Sequence, residues 1–318
     1  MKIIITDCDH KDIAQEEQVF HENTVDFTLF QCKSEEDLLA HCKGYPVLIN
    51  QYAPMTERVL AGLAPELKLI VRYGVGVDNI DISAATKHGV YVCNVPDYGI
   101  NEVADHALTL MMALVRKVIV MNDYTKTQNW NYAHAVPILR LTESKVGIVG
   151  LGRVGKAFAA RVHALGCTVL SFDPYIAADE GPHFVQRVSF ETLLSEADII
   201  SIHCCAENAE NLFDSHAFSQ MKKTAYLVNT ARGKIVNQDA LDHALSEGII
   251  AGAALDVWIK EPTPAGSSVF RHPNLLATPH MAWYSEEAAL ELKRKAAEEA
   301  VRYIKGEPLR CPLNEIAK

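Results

Sequence analysis

The chain has 318 residues, of which 49% are hydrophobic and 22% charged, and its formal net charge is -10. This length suggests about two domains, and the negative charge argues against nucleic acid or an anionic membrane surface as a general partner. Because no apolar run reaches the roughly 18 residues of a membrane span and the apolar start is short, we expect neither a membrane helix nor a signal peptide. The eight cysteines show no CxxC spacing, which indicates free thiols, no metal site and a cytoplasmic, reducing compartment.

The first third of the chain alternates short apolar runs with polar or amphipathic stretches, a pattern typical of an α/β fold. One predicted helix begins at the cap residue Ser34 and continues with acidic residues, and another ends at Gly89. The predicted strands are Lys2–Thr6, Val25–Phe30, Val47–Ile49, Leu67–Val71 and Val90–Cys93.

A second series of strands and helices follows a long helical pattern, and the stretch Glu286–Lys305 predicts a final amphipathic helix. The strands predicted in this series are Val146–Val149, Thr168–Phe172, Ile199–His203, Ala225–Val228, Ala251–Leu255 and Leu275–Ala277. We therefore expect two doubly wound parallel-sheet domains, one of residues 1–98 with 286–318 and one of residues 99–285. The return of the chain to the first domain predicts an interdomain cleft, where small ligands usually bind.

The long helical pattern, from about Asn101 to Asn122, has more apolar residues than one buried face needs. Its apolar positions include Val103, Ala107, Leu110, Met111, Leu114, Val115 and Val118. We predict that this helix and the segment Tyr124–Tyr132 form the two-fold interface of a homodimer. The alternative is a helix that is buried within a single chain.

A glycine motif, Gly150-Leu-Gly-Arg-Val-Gly155, follows a short β-branched run and opens a helical pattern, which is the context that a dinucleotide fingerprint requires. Gly150 would permit the tight turn, Gly152 would let the backbone approach a pyrophosphate, and Gly155 would let helix and strand pack closely. The helix start, with Arg153 and Val154, would offer N–H groups and a partial positive charge to the phosphates. The alternative is a plain strand-to-helix turn.

An acidic residue, Asp173, ends the next predicted strand about 20 residues further on, where it can accept hydrogen bonds from the adenosine ribose. A carboxylate there would repel a 2′-phosphate, and the following Pro174 and Tyr175 bring no arginine to bind one. NAD is therefore favoured over NADP.

Three polar residues, Arg232, Glu261 and His280, each lie just past a predicted strand of the second series. They should project from the carboxyl edge of the sheet towards the cofactor. Position alone does not separate them from ordinary surface residues, because lone histidines and arginines are common in exposed loops.

Several motifs taken together resemble the D-isomer-specific 2-hydroxyacid dehydrogenase family, and they occur in family order over nearly the whole chain. The surroundings of His280 are most similar to the branch of the C-terminal-binding proteins and phosphoglycerate dehydrogenases. The matching stretches are Arg72–Asp81, Asn94–Pro96, Gly150–Gly155, Asn229–Gly233, Ala254–Val257 with Glu261-Pro262, and Thr278–His280. The resemblance implies a Rossmann nucleotide-binding domain and a flavodoxin-like substrate domain.

The resemblance also implies an oxidoreductase that transfers a hydride between NAD(H) and a small 2-hydroxy or 2-keto acid, with the D-isomer as substrate. Arg232 would bind the substrate carboxylate and polarise the 2-oxo group. His280 would be the general acid of reduction and the base of oxidation. Glu261 would orient His280 and favour its imidazolium form.

Further binding residues follow from the same resemblance. Thr230 and Asp256 would belong to the cofactor site, with Asp256 at the nicotinamide amide; for Asp256 a buried helix or turn cap is the alternative. Trp283 and Tyr52 are candidates for the substrate pocket; the alternative for both is core or interdomain packing. The resemblance implies that Tyr73–Val77 form a loop whose backbone N–H groups hold the substrate carboxylate. The substrate-binding residues implied in this loop are Tyr73, Gly74, Val75 and Gly76.

One segment departs from the family pattern, because His203–Asn208 lacks the Pro and Thr that many relatives carry there. Two other functions stay open. A formate- or phosphite-type dehydrogenase could use this scaffold, although formate enzymes usually place Gln where Glu261 stands. An NAD-sensing, corepressor-like binding protein would need a peptide-docking groove, and the intact catalytic set favours the enzyme.

Overall fold

The computed structural model describes residues 2–177 and 180–316. The chain divides into two compact units, which are considered separately. The first unit is Met1–Gly99 with Ser285–Lys318, and the second is Ile100–Tyr284.

The first unit contains a parallel five-stranded sheet with the order β2-β1-β3-β4-β5. This is the flavodoxin-type order of a doubly wound sheet. Its strands are β1 Lys2–Ile5, β2 Asp26–Leu29, β3 Val47–Asn50, β4 Leu69–Arg72 and β5 Tyr91–Cys93. Its helices are α1 Ala14–Glu22, α2 Glu35–His41, α3 Glu57–Leu63, α4 Ile82–Lys87 and the C-terminal helix Glu286–Ile304.

Local sequence signals explain where these helices begin and end. The Ser34 side chain accepts from the Asp37 backbone N–H at 3.2 Å, and the Asp37 carboxylate accepts from the Ser34 N–H at 3.0 Å. This reciprocal capping box confirms the predicted start of α2. Gly89 has φ +70° directly after α4, which confirms it as a helix stop.

The second unit contains a parallel seven-stranded sheet with the order β12-β11-β10-β9-β6-β7-β8. The order reverses between β6 and β9, as in a Rossmann fold. Its strands are β6 Lys145–Val149, β7 Thr168–Phe172, β8 Val185–Arg187, β9 Ile199–Ile202, β10 Tyr226–Asn229, β11 Gly252–Leu255 and β12 Leu275–Ala277. Its helices are α5 Ile100–Val115, α6 Val118–Lys126, α7 Arg153–Ala164, α8 Phe190–Glu196, α9 Ser215–Gln220 and α10 Gln238–Ser246. Short 3-10 helices cover Tyr132–Ala135, Leu141–Glu143, Gly233–Ile235 and Ser268–Arg271.

The prediction of a single helix from Asn101 to Asn122 is wrong. Lys117 adopts the left-handed conformation with φ +51° and separates α5 from α6. A residue in this conformation ends a helix, and the apolar pattern hid the break because Val118, Ile119 and Val120 continue it.

The two helices differ in burial. Six apolar residues of α5 are buried within the second unit, which was the alternative to an interface: Ala104, Ala107, Leu110, Met111, Leu114 and Val115. Helix α6 has no buried residue. Of the predicted interface segments, α6 and the residues that follow it therefore present exposed apolar side chains, such as Val118, Ile119 and Trp130.

All eight cysteines are free, and five of them are buried. Within residues 2–177 and 180–316, no helix combines the length and apolar character that crossing a membrane requires. The same residues contain no group of three or more His, Cys, Asp or Glu side chains arranged to hold a metal ion.

Candidate active site

The glycine turn after β6 is shaped by main-chain contacts. Gly150 has φ +91°, and a Cβ atom on it would lie 2.5 Å from the backbone nitrogen of Cys204. A Cβ atom on Gly155 would lie 2.1 Å from the carbonyl oxygen of Gly150. Only glycine fits these two positions, because the neighbouring backbone cannot move aside.

Gly152 differs, since a Cβ atom on it would meet nothing within 4 Å. It is the N-cap of α7, has an extended backbone, and provides no side-chain cap. The first N–H groups of α7, at Arg153 and Val154, have no acceptor within the helix. Open space next to unpaired N–H groups at a positive helix end fits the phosphates of a dinucleotide.

A buried hydroxyl gives a second indication of a ligand. Thr230 follows β10 and is only 7% exposed, and its Oγ1 atom has no hydrogen-bond partner. Buried polar atoms are nearly always paired, so an unpaired one at the carboxyl end of a sheet suggests a group that binds there. The residues present therefore fit the implied cofactor.

Asp173 lies after β7 and holds the glycine turn in place. Its carboxylate accepts from the Leu151 N–H at 2.7 Å and from the Tyr175 N–H at 2.9 Å. Each carboxylate oxygen can still accept a further bond from a ribose hydroxyl. The structure also places Arg187 beside it, donating to the carbonyl oxygen of Asp173 at 2.6 Å. Sequence reasoning missed Arg187 because the short strand β8, which carries it, was not predicted.

Three polar residues from separate loops come together beyond β10, β11 and β12. His280 Nδ1 and Glu261 Oε2 lie 2.5 Å apart, and the other Glu261 oxygen accepts from the Trp258 N–H at 2.8 Å. The third residue, Arg232, lies close enough for its charge to act on Glu261. The His280 and Glu261 side chains are 45% and 35% exposed, so solutes can reach them.

The pKa of the Glu261 carboxyl is set by opposing effects. Burial raises the pKa of Glu261, but the hydrogen bonds from His280 and Trp258 and the charges of His280 and Arg232 outweigh burial. The pKa of Glu261 therefore lies below its ordinary value. The side chain is a carboxylate at neutral pH and is suited to hold a cationic imidazole.

Gly233, which follows Arg232, allows the loop after β10 to pack closely against the loop after β11. A Cβ atom on Gly233 would lie 2.0 Å from the backbone carbon of Trp258. Trp258 also donates from its indole nitrogen to the Thr278 carbonyl oxygen at 3.2 Å. Trp258 thereby ties the Glu261 loop to the loop that carries His280.

Asp256 caps the turn that carries His280, which is one of the two roles that the sequence left open for it. Its side chain is fully buried. One oxygen accepts from the Thr278 hydroxyl at 2.6 Å and the Met281 N–H at 3.0 Å, and the other accepts from the Ala282 N–H at 2.9 Å. These bonds shape the turn around His280, which has φ +54°.

In the first unit, the loop after β4 does not provide the predicted backbone contact from Tyr73 to a substrate. The Tyr73 N–H donates to the Asn50 carbonyl oxygen at 2.8 Å, and its buried phenol donates to Glu16 at 2.7 Å. Tyr73 thus anchors the loop and has no N–H to offer a ligand. Among the described residues, the N–H groups of Gly74, Val75 and Gly76 donate to no acceptor.

The two aromatic candidates are not core residues. Tyr52 is 59% exposed. Trp283 is half-buried, and its ring packs edge-on against Tyr284 with 5.4 Å between ring centres. The segment His203–Asn208 differs from the family pattern. Its His203 is desolvated, which lowers the pKa of that imidazole to about 3. The backbone of its Cys204 contacts Gly150.

Comparison with known proteins is consistent with these features. Residues 108–282 match the family model described as D-isomer specific 2-hydroxyacid dehydrogenase, NAD binding domain. The chain is 35% identical to D-3-phosphoglycerate dehydrogenase of Bacillus subtilis, over 91% of this chain and 55% of that protein. It is also 35% identical to glyoxylate reductase of Korarchaeum cryptofilum, over 86% of this chain and 84% of that protein. The chain spans about half the length of the phosphoglycerate dehydrogenases that it matches.

Solved structures give the same result. Aquifex aeolicus D-lactate dehydrogenase, complexed with NAD and lactic acid, is 26% identical with a TM-score of 0.85, over 96% of each chain. NAD-dependent formate dehydrogenase of Staphylococcus aureus, in complex with NAD, is 30% identical with a TM-score of 0.87, over 100% of each chain. The chain therefore belongs to the D-isomer-specific 2-hydroxyacid dehydrogenase family, and its second unit is the NAD-binding domain of that family.

Proposed function

We propose that the protein is an NAD-dependent oxidoreductase that interconverts a small D-2-hydroxy acid and its 2-keto acid. The observation that carries this proposal is the His280–Glu261 pair, whose Nδ1 and Oε2 atoms lie 2.5 Å apart. NAD, when bound, supplies or accepts the hydride.

Arg232 binds and polarises the substrate in this proposal. A guanidinium is always charged and presents a planar fork of N–H donors, which matches a carboxylate next to a carbonyl. Its positive charge also stabilises the negative charge that develops on the oxygen during reduction.

His280 moves the proton. Its Nδ1 atom faces Glu261, so Nδ1 carries a hydrogen and Nε2 is left to face the substrate oxygen. In reduction, Nε2–H of the imidazolium gives its proton to that oxygen, and in oxidation the neutral Nε2 accepts it. Glu261 is ionised and therefore stabilises the imidazolium form between turnovers.

The cofactor would be held at the glycine turn. The N–H groups of Arg153 and Val154 would bind the pyrophosphate above Gly152, Asp173 would accept from the adenosine ribose, and the unpaired Thr230 hydroxyl would bind the nicotinamide half. We expect tighter binding of NADH than of NADPH. Replacing Asp173 with Ala and Pro174 with Arg should relax this preference, and equal affinities in the unmodified protein would disprove the role of Asp173.

The loop of Gly74, Val75 and Gly76 would bind the substrate carboxylate through its backbone N–H groups. Successive N–H groups that lack acceptors form a natural site for an anion. Gly74 has φ +123°, and a Cβ atom there would lie 1.9 Å from the Arg72 side chain.

The deciding experiment is an NADH-oxidation screen with glyoxylate, hydroxypyruvate, pyruvate, phenylpyruvate and longer 2-keto acids. Turnover with at least one of them is expected. Formate and phosphite are tested with NAD in parallel, because the Staphylococcus aureus formate dehydrogenase is similar in structure. NADH binding without turnover of any of these compounds would instead favour an NAD-sensing binding protein.

We also propose that the protein is a homodimer that resides in the cytoplasm. Val118 and Ile119 of α6 are 53% and 48% exposed, and Trp130 and Tyr132 are 90% and 84% exposed. An apolar cavity of about 430 Å³ lies beside α6, and its lining includes Ile119, Val120 and Leu139. Such a surface favours a partner of the same kind, and eight free cysteines favour a reducing compartment.

Light scattering tests the assembly. The unmodified protein should have the mass of a dimer, and exchanging Trp130 and Tyr132 for Ser should lower that mass or weaken association. A monomeric mass for the unmodified protein in dilute solution would contradict the dimer.

A further inference from the structure

A chain of hydrogen bonds runs from helix α5 to the turn that carries His280. The Thr278 hydroxyl lies 2.6 Å from Asp256 Oδ1, and His106 Nε2 lies 3.1 Å from the same hydroxyl. His106 Nε2 is also 3.6 Å from Asp256 Oδ1. His106 belongs to α5, far from the loops in sequence, and nothing in its local pattern indicates a function.

The direction of these bonds follows from the chemistry of the groups. A carboxylate only accepts, so the single hydroxyl hydrogen of Thr278 points at Asp256. The lone pairs of Thr278 then face His106, whose Nε2 must carry a hydrogen to donate. His106 and Thr278 together fix the rotation of the Asp256 carboxylate, because each completes the hydrogen bonding of the next.

Asp256 holds the turn around His280 through hydrogen bonds to its backbone. Its two carboxylate oxygens accept from the N–H groups of Met281 and Ala282, and its carbonyl oxygen accepts from the His280 N–H at 2.8 Å. His280 has φ +54°, a conformation that L residues adopt rarely and that persists only where the surroundings fix it. This backbone conformation presents Nδ1 to Glu261.

We propose that His106 and Thr278 are positioning residues that act through Asp256 to hold His280 in the orientation that pairs it with Glu261. The inference rests on the proposed function, in which His280 transfers the proton. Neither residue contacts the reacting atoms. Their effect should therefore appear in the turnover step and in the His280–Glu261 bond, with little change in NADH binding.

The first test compares Thr278→Val with Thr278→Ser. Valine keeps the shape of threonine and removes the hydroxyl, whereas serine keeps the hydroxyl. We expect kcat for 2-keto acid reduction to fall roughly ten- to a hundredfold in the valine variant, as for a displaced catalytic group. The serine variant should keep most of the activity, and the KM for NADH should change little in both. A matched control is Thr109→Val on α5, which removes an exposed hydroxyl bonded only to a backbone carbonyl of its own helix.

The second test needs no turnover. In the cofactor-free protein, the Nδ1 proton of His280 should give a downfield NMR resonance, because it is bonded to a carboxylate. This resonance should weaken or disappear in Thr278→Val and in His106→Leu, and persist in Thr278→Ser, in His106→Gln, which keeps an N–H donor, and in Thr109→Val.

The outcomes separate this inference from the proposed function. If the unmodified protein reduces no 2-keto acid, the proposed function fails and the resonance alone decides the positioning role. If the resonance and kcat are unchanged in both Thr278→Val and His106→Leu, the positioning role is wrong. Equal losses in Thr278→Val and Thr278→Ser would also overturn it, because the hydroxyl would not be the cause. Should Thr278→Val fail to fold, the His106 pair gives the same decision.

Discussion

Two turns at the carboxyl edge of the seven-stranded sheet are built in opposite ways. The Gly150–Gly155 turn depends on missing side chains at its two ends, since main-chain atoms lie where the Cβ atoms of Gly150 and Gly155 would be. The turn around His280 takes its shape from side chains that are present, namely Asp256 and Thr278. The glycines of the first turn lie within six residues of sequence, whereas the side chains that shape the second turn come from separate segments. We infer that the first serves binding and the second serves proton transfer.

The largest expected effect separates the two turns by function. His280→Ala should lower kcat/KM for 2-keto acid reduction on the order of a hundredfold or more, because the proton donor is lost. NADH affinity, measured by fluorescence titration, should change little because the glycine turn is untouched. A comparable loss of NADH affinity would mean that the two turns are not separate in function.

The next prediction contrasts two glycines of the same turn. Gly150→Ala should lower the free energy of unfolding by about 2 kcal/mol or more, because the left-handed backbone and the contact with Cys204 both oppose a Cβ atom. Gly152→Ala should change it by less than about 0.5 kcal/mol, since its Cβ atom meets open space. Only Gly152→Ala should weaken NADH binding while the fold stays intact. Denaturant unfolding and NADH titration check both variants, and equal stabilities for the two would refute the steric argument.

A smaller effect is expected when the charge of the catalytic pair is removed. Glu261→Gln keeps the shape of the side chain but removes the negative charge that faces His280 Nδ1, so kcat/KM for 2-keto acid reduction should fall, by less than in His280→Ala. The measurement is kcat/KM with chemistry as the rate-limiting step. An unchanged kcat/KM would show that the charge of Glu261 does not assist His280.

The smallest effect concerns acid stability. The pKa of Glu261 is lower in the folded protein than its ordinary value of 4.5, so its stabilising contribution is complete above that value. This contribution is lost as the pH falls through the folded pKa. The stability difference between the unmodified protein and Glu261→Gln should therefore shrink in acid, as measured by denaturant unfolding at neutral and acidic pH. The exposed Glu210, exchanged for Gln, serves as the control, and a difference that is constant with pH would contradict the prediction.

The contrast between the turns also explains what could be predicted from the sequence. The strands and the glycine turn were predicted because their signals lie within a few residues of each other. The break at Lys117 was missed because apolar residues continue across it, and β8 was missed because it is short and carries Arg187. His106 and Thr278 could not be assigned their proposed role, since 172 positions separate them and only the fold brings them together. For Tyr73, the motif indicated the correct loop but not that its N–H is already bonded to Asn50.

The contact between Gly150 and Cys204 has a consequence for how this protein can change over time. The glycine meets the nitrogen, Cα and Cβ atoms of Cys204, which every residue except glycine supplies in the same place. Mutational drift at Cys204 can therefore exchange the side chain beyond Cβ for that of another residue without removing this contact. An insertion or deletion in the loop from His203 to Asn208 would shift the path of the main chain and should be selected against. The length of this loop is thus expected to be inherited more strictly than its sequence.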